Sequence, residues 1–185
     1  APGANCDEET QFAFEKAGGL ADRIHINQLR ESPGLLKEYQ IFVVPGGFTY
    51  GDDIGGGKIL ANQLSVMLGD ALRAFRDSEK LILGICNGFQ ALLKAGLILL
   101  PDEAGPMATR THNDSAKYED RWVHVKVASE RCPFLEGYST FYIPVAHGEG
   151  KLVCREPWIL QGLHQTGQVA LQYVDSKGAV GEYPV

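Results

Sequence analysis

Several features that define whole classes of protein are missing from this sequence. No cluster of Lys and Arg stands out, and acidic residues exceed basic ones by 23 to 17, for a net charge of −6. Nucleic acids and anionic membranes are therefore poor partners for this chain. The longest apolar stretch, residues 91–101, contains Lys94 and is too short to span a bilayer, and no secretory signal is visible.

The sequence also lacks a clustered set of metal ligands. Its four cysteines, Cys6, Cys86, Cys132 and Cys154, lie far apart with no C-x-x-C pair, whereas zinc sites need grouped ligands. Disulfides are possible, but a chain of 185 residues buries a core without them. We therefore predict a single domain over residues 1–185, with no metal, in the cytoplasm.

The order of the predicted elements indicates an α/β fold. A first helix follows a cap at Asn5 or Asp7 and ends at Gly18-Gly19, and Ile24 and Ile26 suggest a short strand. Buried-type strands at 40–44 and 80–83 each precede a helical pattern, which predicts βαβ units and an open, mostly parallel sheet flanked by helices. Further strands are predicted at 122–127, 140–145, 168–174 and 179–183, with a hairpin turn at 176–178. These would add antiparallel strands in the C-terminal half.

The segment Gly84-Ile85-Cys86-Asn87-Gly88 stands where a predicted strand meets a predicted helix. A cysteine at such a turn, with a glycine on each side, is typical of a nucleophile elbow. We expect the glycines to permit the strained backbone that exposes the sulfur, and the helix N-terminus to stabilise a thiolate and later an oxyanion. A small buried cysteine in an ordinary βα turn is the alternative.

A glycine-rich stretch, residues 46–57, follows the strand at 40–44. We expect it on the same rim as Cys86, because the carboxyl ends of parallel strands share one edge of a sheet. The N–H of Gly46 or Gly47 can pair with that of Asn87 as an oxyanion hole. A plain flexible turn is the alternative.

The same stretch contains Gly55-Gly56-Gly57-Lys58, which superficially resembles a phosphate-binding loop. That motif would need Gly at Asp52 and Ser or Thr at Ile59. The spacing therefore argues against ATP binding by this chain.

Two polar residues are candidates for binding a substrate. Gln90 lies four residues after Cys86, so a helix places both on one face, although an isolated glutamine is more often solvated. His147 follows the strand at 140–145 and is either a base for Cys86 or part of a substrate pocket. Histidines in strand patterns or polar surroundings are more often structural or solvated, and this applies to His25, His112, His124 and His164.

Together, four segments resemble the class I glutamine amidotransferases, and among them the glutaminase subunits of phosphoribosylformylglycinamidine synthases. These segments are APGANCDEET (1–10), VPGGFTYGDD (44–53), GICNGFQ (84–90) and IPVAHGEG (143–150), and they occur in the family order over nearly the whole chain. The resemblance implies a three-layer, flavodoxin-like sandwich. It also implies no cofactor on this chain, with ATP and Mg on a partner synthetase subunit and a small third subunit bridging the two.

The resemblance further implies a reaction. Cys86 would attack the side-chain amide of L-glutamine, form a glutamyl thioester and release ammonia to the synthetase subunit. Supporting roles would fall to Gly47 and Asn87 (oxyanion hole) and to Gly46, Gln90, His147 and Gly148 (glutamine pocket).

The chain departs from the family pattern at both ends. Family members carry a β-strand before the Ala-Pro-Gly segment, and a C-terminal His-Pro-Glu motif that supplies the base and its orienting carboxylate. Neither occurs here, and His147 belongs to a different family segment. We therefore expect a truncated domain that is inactive alone.

Two other functions stay open from the sequence. One is a hydrolase of a related sheet family that also uses an elbow cysteine. The segment PGGFTYGD (45–52) argues against it. The other is an inert assembly module docked on a synthetase, which suits a chain without a complete triad.

Overall fold

The computed structural model describes residues 1–181, which form two compact units, residues 1–106 and the described residues from 107 onward. The first unit comprises α1 (Asp7–Lys16), α2 (Ile26–Glu31), β1 (Ile41–Val44), α3 (Lys58–Asp77), β2 (Leu81–Gly84) and α4 (Asn87–Lys94). The second comprises β3 (Ala108–Thr111), β4 (Glu119–Val127), β5 (Thr140–His147), β6 (Lys151–Cys154), α5 (Pro157–Gln165) and β7 (Leu171–Val174). Short 3-10 turns occupy residues 33–38, 49–52 and 133–135.

In the first unit, β1 and β2 form a parallel pair with Val44 opposite Gly84. The glycine-rich stretch leaves the end of β1, and Cys86 follows the end of β2. Parallel pairing therefore brings these two segments to one edge of the sheet, as the sequence predicts.

The core of the first unit is built mainly on α3. Its residues Leu60, Leu64, Leu68 and Leu72 repeat every four positions and are all buried. Such a spacing places one apolar stripe on a helix. This stripe packs with buried residues of α4 and with Val44 of β1, so the core fixes the helix that begins beside Cys86.

Two local predictions in the first unit are wrong. The segment at Ile24 and Ile26 is not a strand, because Ile26 begins α2 and His25 caps that helix by accepting a hydrogen bond from the N–H of Asn27 at 3.2 Å. In α1, the N-cap residue is Cys6 rather than Asn5 or Asp7, and its side chain makes no capping bond. The predicted end of α1 at Gly18-Gly19 is confirmed, with Gly18 at φ 90°.

The second unit is dominated by antiparallel pairing. Strands β5, β4 and β7 form one sheet and β3 with β6 forms another. Val123 and Val125 of β4 are buried on one face, as alternation requires. A tight turn follows β7, with the N–H of Gly178 donating to the carbonyl of Asp175, as predicted. Of the strand predicted at 179–183, residues 179–181 are not in a strand, and residues 182–183 lie outside the described residues.

The coarse α/β class is therefore confirmed, with parallel strands in the first half and antiparallel strands in the second. Sequence inspection missed β3, β6 and α5. Across residues 1–181, no helix has both the length and the apolarity needed to cross a bilayer.

Candidate active site

Cys86 occupies a strained turn between β2 and α4. Its backbone angles are φ 52° and ψ −114°, a region that non-glycine residues rarely adopt. The thiol is free and exposed, and Cys86 is the N-cap residue of α4. An accessible thiol at the N-terminus of a helix suits a nucleophile, because the positive end of the helix stabilises negative charge.

The two glycines that flank the elbow are needed because they have no side chain, and not because of their torsional freedom. Neither Gly84 nor Gly88 has a positive φ, and the strained residue is Cys86 itself. A Cβ on Gly84 would lie 2.7 Å from Leu92 Cδ1, and one on Gly88 would collide with the carbonyl of Val44. The expectation that these glycines relax the backbone is therefore wrong, since they allow α4 to lie directly against β1 and β2.

The diglycine segment at the end of β1 lies against the elbow. A Cβ placed on Gly46 would be 3.4 Å from Cys86 Cβ and 3.8 Å from the sulfur of Cys6. Gly47 has φ 130° and forms an isolated antiparallel bridge with Ala4. The first residues of the chain thus hold the diglycine segment beside the nucleophile.

Backbone donors are available at this edge. Asn87 is the first residue of α4, so its N–H has no acceptor one helical turn earlier. Within residues 1–181, neither this N–H nor that of Gly47 makes a hydrogen bond. Free amides of this kind can stabilise an oxyanion formed at a carbonyl that Cys86 attacks.

Gln90 lies on the first turns of α4, as predicted, and is half-buried. Its Oε1 accepts a hydrogen bond from Asn87 Nδ2 at 3.2 Å, and its side chain packs on Gly56. The side chain of Asn87 also bonds to Thr49 and Asp52. Sequence inspection gave Thr49 and Asp52 no role, although both belong to the quoted segment at 44–53.

His147 lies at the end of β5 in the second unit. Asn113 Oδ1 accepts hydrogen bonds from the N–H of Gly150, at 3.0 Å, and from His147 Nδ1, at 2.9 Å. Nδ1 therefore carries the proton. Nε2 is buried and has no hydrogen-bond partner within residues 1–181.

Burial, and secondarily the charge of Arg110, lowers the pKa of His147 below its ordinary value, so the ring is neutral at pH 7. The position of Asn113 could not be anticipated from the sequence, because it lies 34 residues before His147. The part played by His147 and Gly148 in binding glutamine stays a prediction.

No group of three or more His, Cys, Asp or Glu side chains within residues 1–181 is arranged to hold a metal ion. A cleft of about 610 Å³ lies elsewhere in the first unit, between α1, α2 and the outer edge of β1. Its walls include Ile41 and Phe42 but neither Cys86 nor the diglycine segment.

Comparison with known proteins places this geometry in a family. The family model described as a CobB/CobQ-like glutamine amidotransferase domain matches residues 1–185. The chain belongs to this glutamine amidotransferase family.

The chain is also similar to curated proteins named phosphoribosylformylglycinamidine synthase subunit PurQ. The protein from Dehalococcoides mccartyi is 44% identical over 178 residues, covering 96% of this chain and 68% of the relative. The protein from Methanococcus maripaludis is 43% identical over 187 residues, covering 99% of this chain and 68% of the relative. These matches confirm the resemblance inferred from the four segments.

A solved structure, described as that of PurLQS from Thermotoga maritima, contains a similar chain. The TM-score is 0.66 at 28% identity, over 97% of this chain and 76% of that chain. The matches give no support to a hydrolase of another sheet family.

Proposed function

We propose that the chain is the glutaminase component of a phosphoribosylformylglycinamidine synthase in purine biosynthesis. The observation that carries this proposal is an exposed, strained Cys86 at a strand-to-helix turn, in a chain that is 44% identical to a protein named as a subunit of that synthase. The substrate of this component is L-glutamine, and its products are glutamate and ammonia.

The reaction begins when the Cys86 thiolate attacks the side-chain carbonyl carbon of glutamine. The carbonyl oxygen becomes an oxyanion, which the N–H groups of Gly47 and Asn87 stabilise. The tetrahedral species then collapses, the C–N bond breaks, and the leaving nitrogen takes a proton and departs as ammonia. Water next hydrolyses the glutamyl thioester, which releases glutamate and regenerates the thiol.

The remaining polar groups bind the substrate. Gly46 leaves open space beside the Cys86 side chain, and Gln90 lies on the same helix as the oxyanion donor Asn87. His147 and Gly148 contribute to the glutamine pocket. This assignment rests on the family resemblance of the segment IPVAHGEG (143–150).

The ammonia passes to a synthetase subunit that binds ATP and Mg, and a small subunit bridges the two. The Thermotoga maritima assembly, whose description names three components together, supports this arrangement. The chain itself holds no cofactor, and it acts in the cytoplasm, where purine synthesis takes place.

The finer architecture is a three-layer, flavodoxin-like sandwich in which further parallel strands extend the β1–β2 pair. Within residues 1–181, β1 pairs with β2 alone, and Ile41, Phe42 and Val43 also line an open cleft, which supports this arrangement. A parallel strand seated there would fill the cleft with apolar side chains.

The experiment uses the protein as its gene encodes it (the encoded protein), together with its synthetase subunits, ATP and formylglycinamide ribonucleotide. With glutamine labelled with ¹⁵N in the side-chain amide, we expect the label in the amidine product. A Cys86→Ala variant should lose this activity and keep synthesis from added ammonium. A Cys86→Ala protein that still transfers the glutamine nitrogen would contradict the proposal.

A further inference from the structure

The side chain of Asn87 is a buried junction next to the nucleophile. Asn87 follows Cys86 directly and is 1% exposed. Its Oδ1 accepts hydrogen bonds from the N–H of Thr49, at 3.2 Å, and from the Thr49 hydroxyl, at 2.5 Å. Its Nδ2 donates to the Asp52 carboxylate at 2.9 Å. The proposed chemistry uses only the backbone N–H of Asn87, so this side-chain junction has a separate purpose.

The partners of Asn87 are themselves held in place. Thr49 is 1% exposed, and Asp52 also accepts a hydrogen bond from the N–H of Gly57, at 2.9 Å, directly before α3. Between them, Tyr50 has φ 55° and donates its hydroxyl to Gln63 on α3 at 2.7 Å. The segment 49–52 is therefore a rigid bracket between α3 and the start of α4.

We propose that Thr49 and Asp52 are positioning residues for glutamine hydrolysis. They clamp the Asn87 carboxamide and thereby fix the backbone N–H of Asn87 next to the Cys86 sulfur. This inference rests on the proposed function, because it assumes that this N–H stabilises an oxyanion. Such donors act only within about 2.7–3.1 Å of the developing charge, and a displacement of about 1 Å can cost about 100-fold in rate.

The sharpest test compares two substitutions at Thr49 in the encoded protein with its synthetase subunits. Thr49→Val keeps the shape of the side chain but removes the hydroxyl donor, whereas Thr49→Ser keeps the donor. We expect Thr49→Val to lower the kcat of glutamine hydrolysis about 10- to 100-fold with KM within about threefold. Thr49→Ser should recover most of that loss. As a matched control, Thr166→Val removes a hydroxyl from the second unit and should leave kcat unchanged.

A second measurement separates positioning from general damage. Alkylation of Cys86 by iodoacetamide passes through no oxyanion, so Thr49→Val should leave its rate within about twofold while kcat falls. Asp52→Ala should behave like Thr49→Val, and Asp52→Asn, which retains an acceptor oxygen, should lose less activity. Unchanged kcat in both Thr49→Val and Asp52→Ala would overturn the proposal. The proposal would also be overturned if kcat and the rate of Cys86 alkylation fell together in Thr49→Val and Thr49→Ser did not restore them.

A readout independent of activity tests the clamp itself. Amide hydrogen exchange over residues 86–90, followed by mass spectrometry, should be faster in Thr49→Val than in Thr49→Ser. Equal exchange in the two variants would overturn the clamp. An unsubstituted protein that does not hydrolyse glutamine would instead contradict the proposed function, and the exchange comparison would still decide whether Thr49 holds Asn87.

Discussion

Gly88 stands directly against Val44. A Cβ at Gly88 would collide with the carbonyl oxygen of Val44 and lie 2.8 Å from that of Pro45. The first turn of α4 therefore touches the end of β1, and this contact sets the height of Cys86 above the sheet edge. No residue larger than glycine fits at this position without moving the helix.

Gly88→Ala should consequently lower both stability and activity. Overpacking of this kind costs about 1–3 kcal/mol in the free energy of unfolding, and the displaced helix carries both the nucleophile and a proposed oxyanion donor. Urea unfolding and the kcat for glutamine hydrolysis measure the two effects. The control is Gly34→Ala, where the new methyl group meets nothing within 4 Å. Equal stability of the two variants would contradict this view of the elbow.

Gly46 and Gly47 should differ when each is replaced by alanine. Gly47 has φ 130°, and a Cβ there would lie 2.5 Å from the carbonyl oxygen of Gly3, so Gly47→Ala should reduce both stability and activity. A Cβ on Gly46 makes only ordinary contacts, the nearest at 3.4 Å from Cys86 Cβ. Gly46→Ala should therefore fold normally but lower kcat/KM, because the methyl group fills space beside the nucleophile. Thermal unfolding together with kinetics distinguishes the two outcomes.

The stability of the second unit should depend on pH through His147. Burial lowers its pKa in the folded state, with Arg110 lowering it further and Glu119 opposing. Between the ordinary pKa of 6.5 and the lowered value, the unfolded chain binds more protons than the folded chain. The free energy of unfolding should therefore fall as pH drops below about 6.5, and level off below the folded-state pKa.

The matched variant for this effect is His147→Asn, which retains a donor for Asn113 but does not titrate. Both tryptophans, Trp122 and Trp158, lie in the second unit, so their fluorescence during urea unfolding reports on that unit. The unsubstituted protein should lose more stability than the variant between pH 7 and pH 5. Identical pH dependence would show that the folded protein does not disfavour protonation of His147.

Much of the first unit could be predicted from the sequence because its signals are local. The leucine repeat of α3 and the continuous apolar run of β1 can each be recognised within a single segment. The elbow is also local, since five consecutive residues indicate the turn and the nucleophile, although the close packing of its two glycines was missed. In the second unit, α5 had a usable signal that was missed, because Pro157 occupies its first turn.

The features that could not be predicted from the sequence depend on contacts between residues that are far apart in the chain. Thr49 and Asn87 are 38 residues apart, and neither residue indicates that it will meet the other. Strand β6 is four residues long and is recognisable only through its pairing with β3. At Ile24 and Ile26, apolar alternation suggested a strand, but the cap formed by His25 favoured a helix.

The central claim is that Cys86 is the nucleophile that attacks glutamine. The most direct measurement is peptide mapping by mass spectrometry after treatment of the encoded protein with diazo-oxo-norleucine, a glutamine analogue that alkylates a nucleophile in a glutamine site. We predict one label per chain on Cys86, protection by L-glutamine, and normal labelling in a Cys6→Ser variant, in which the other exposed thiol is absent. Labelling of Cys6 instead, or of an active protein at any site other than Cys86, would contradict the account.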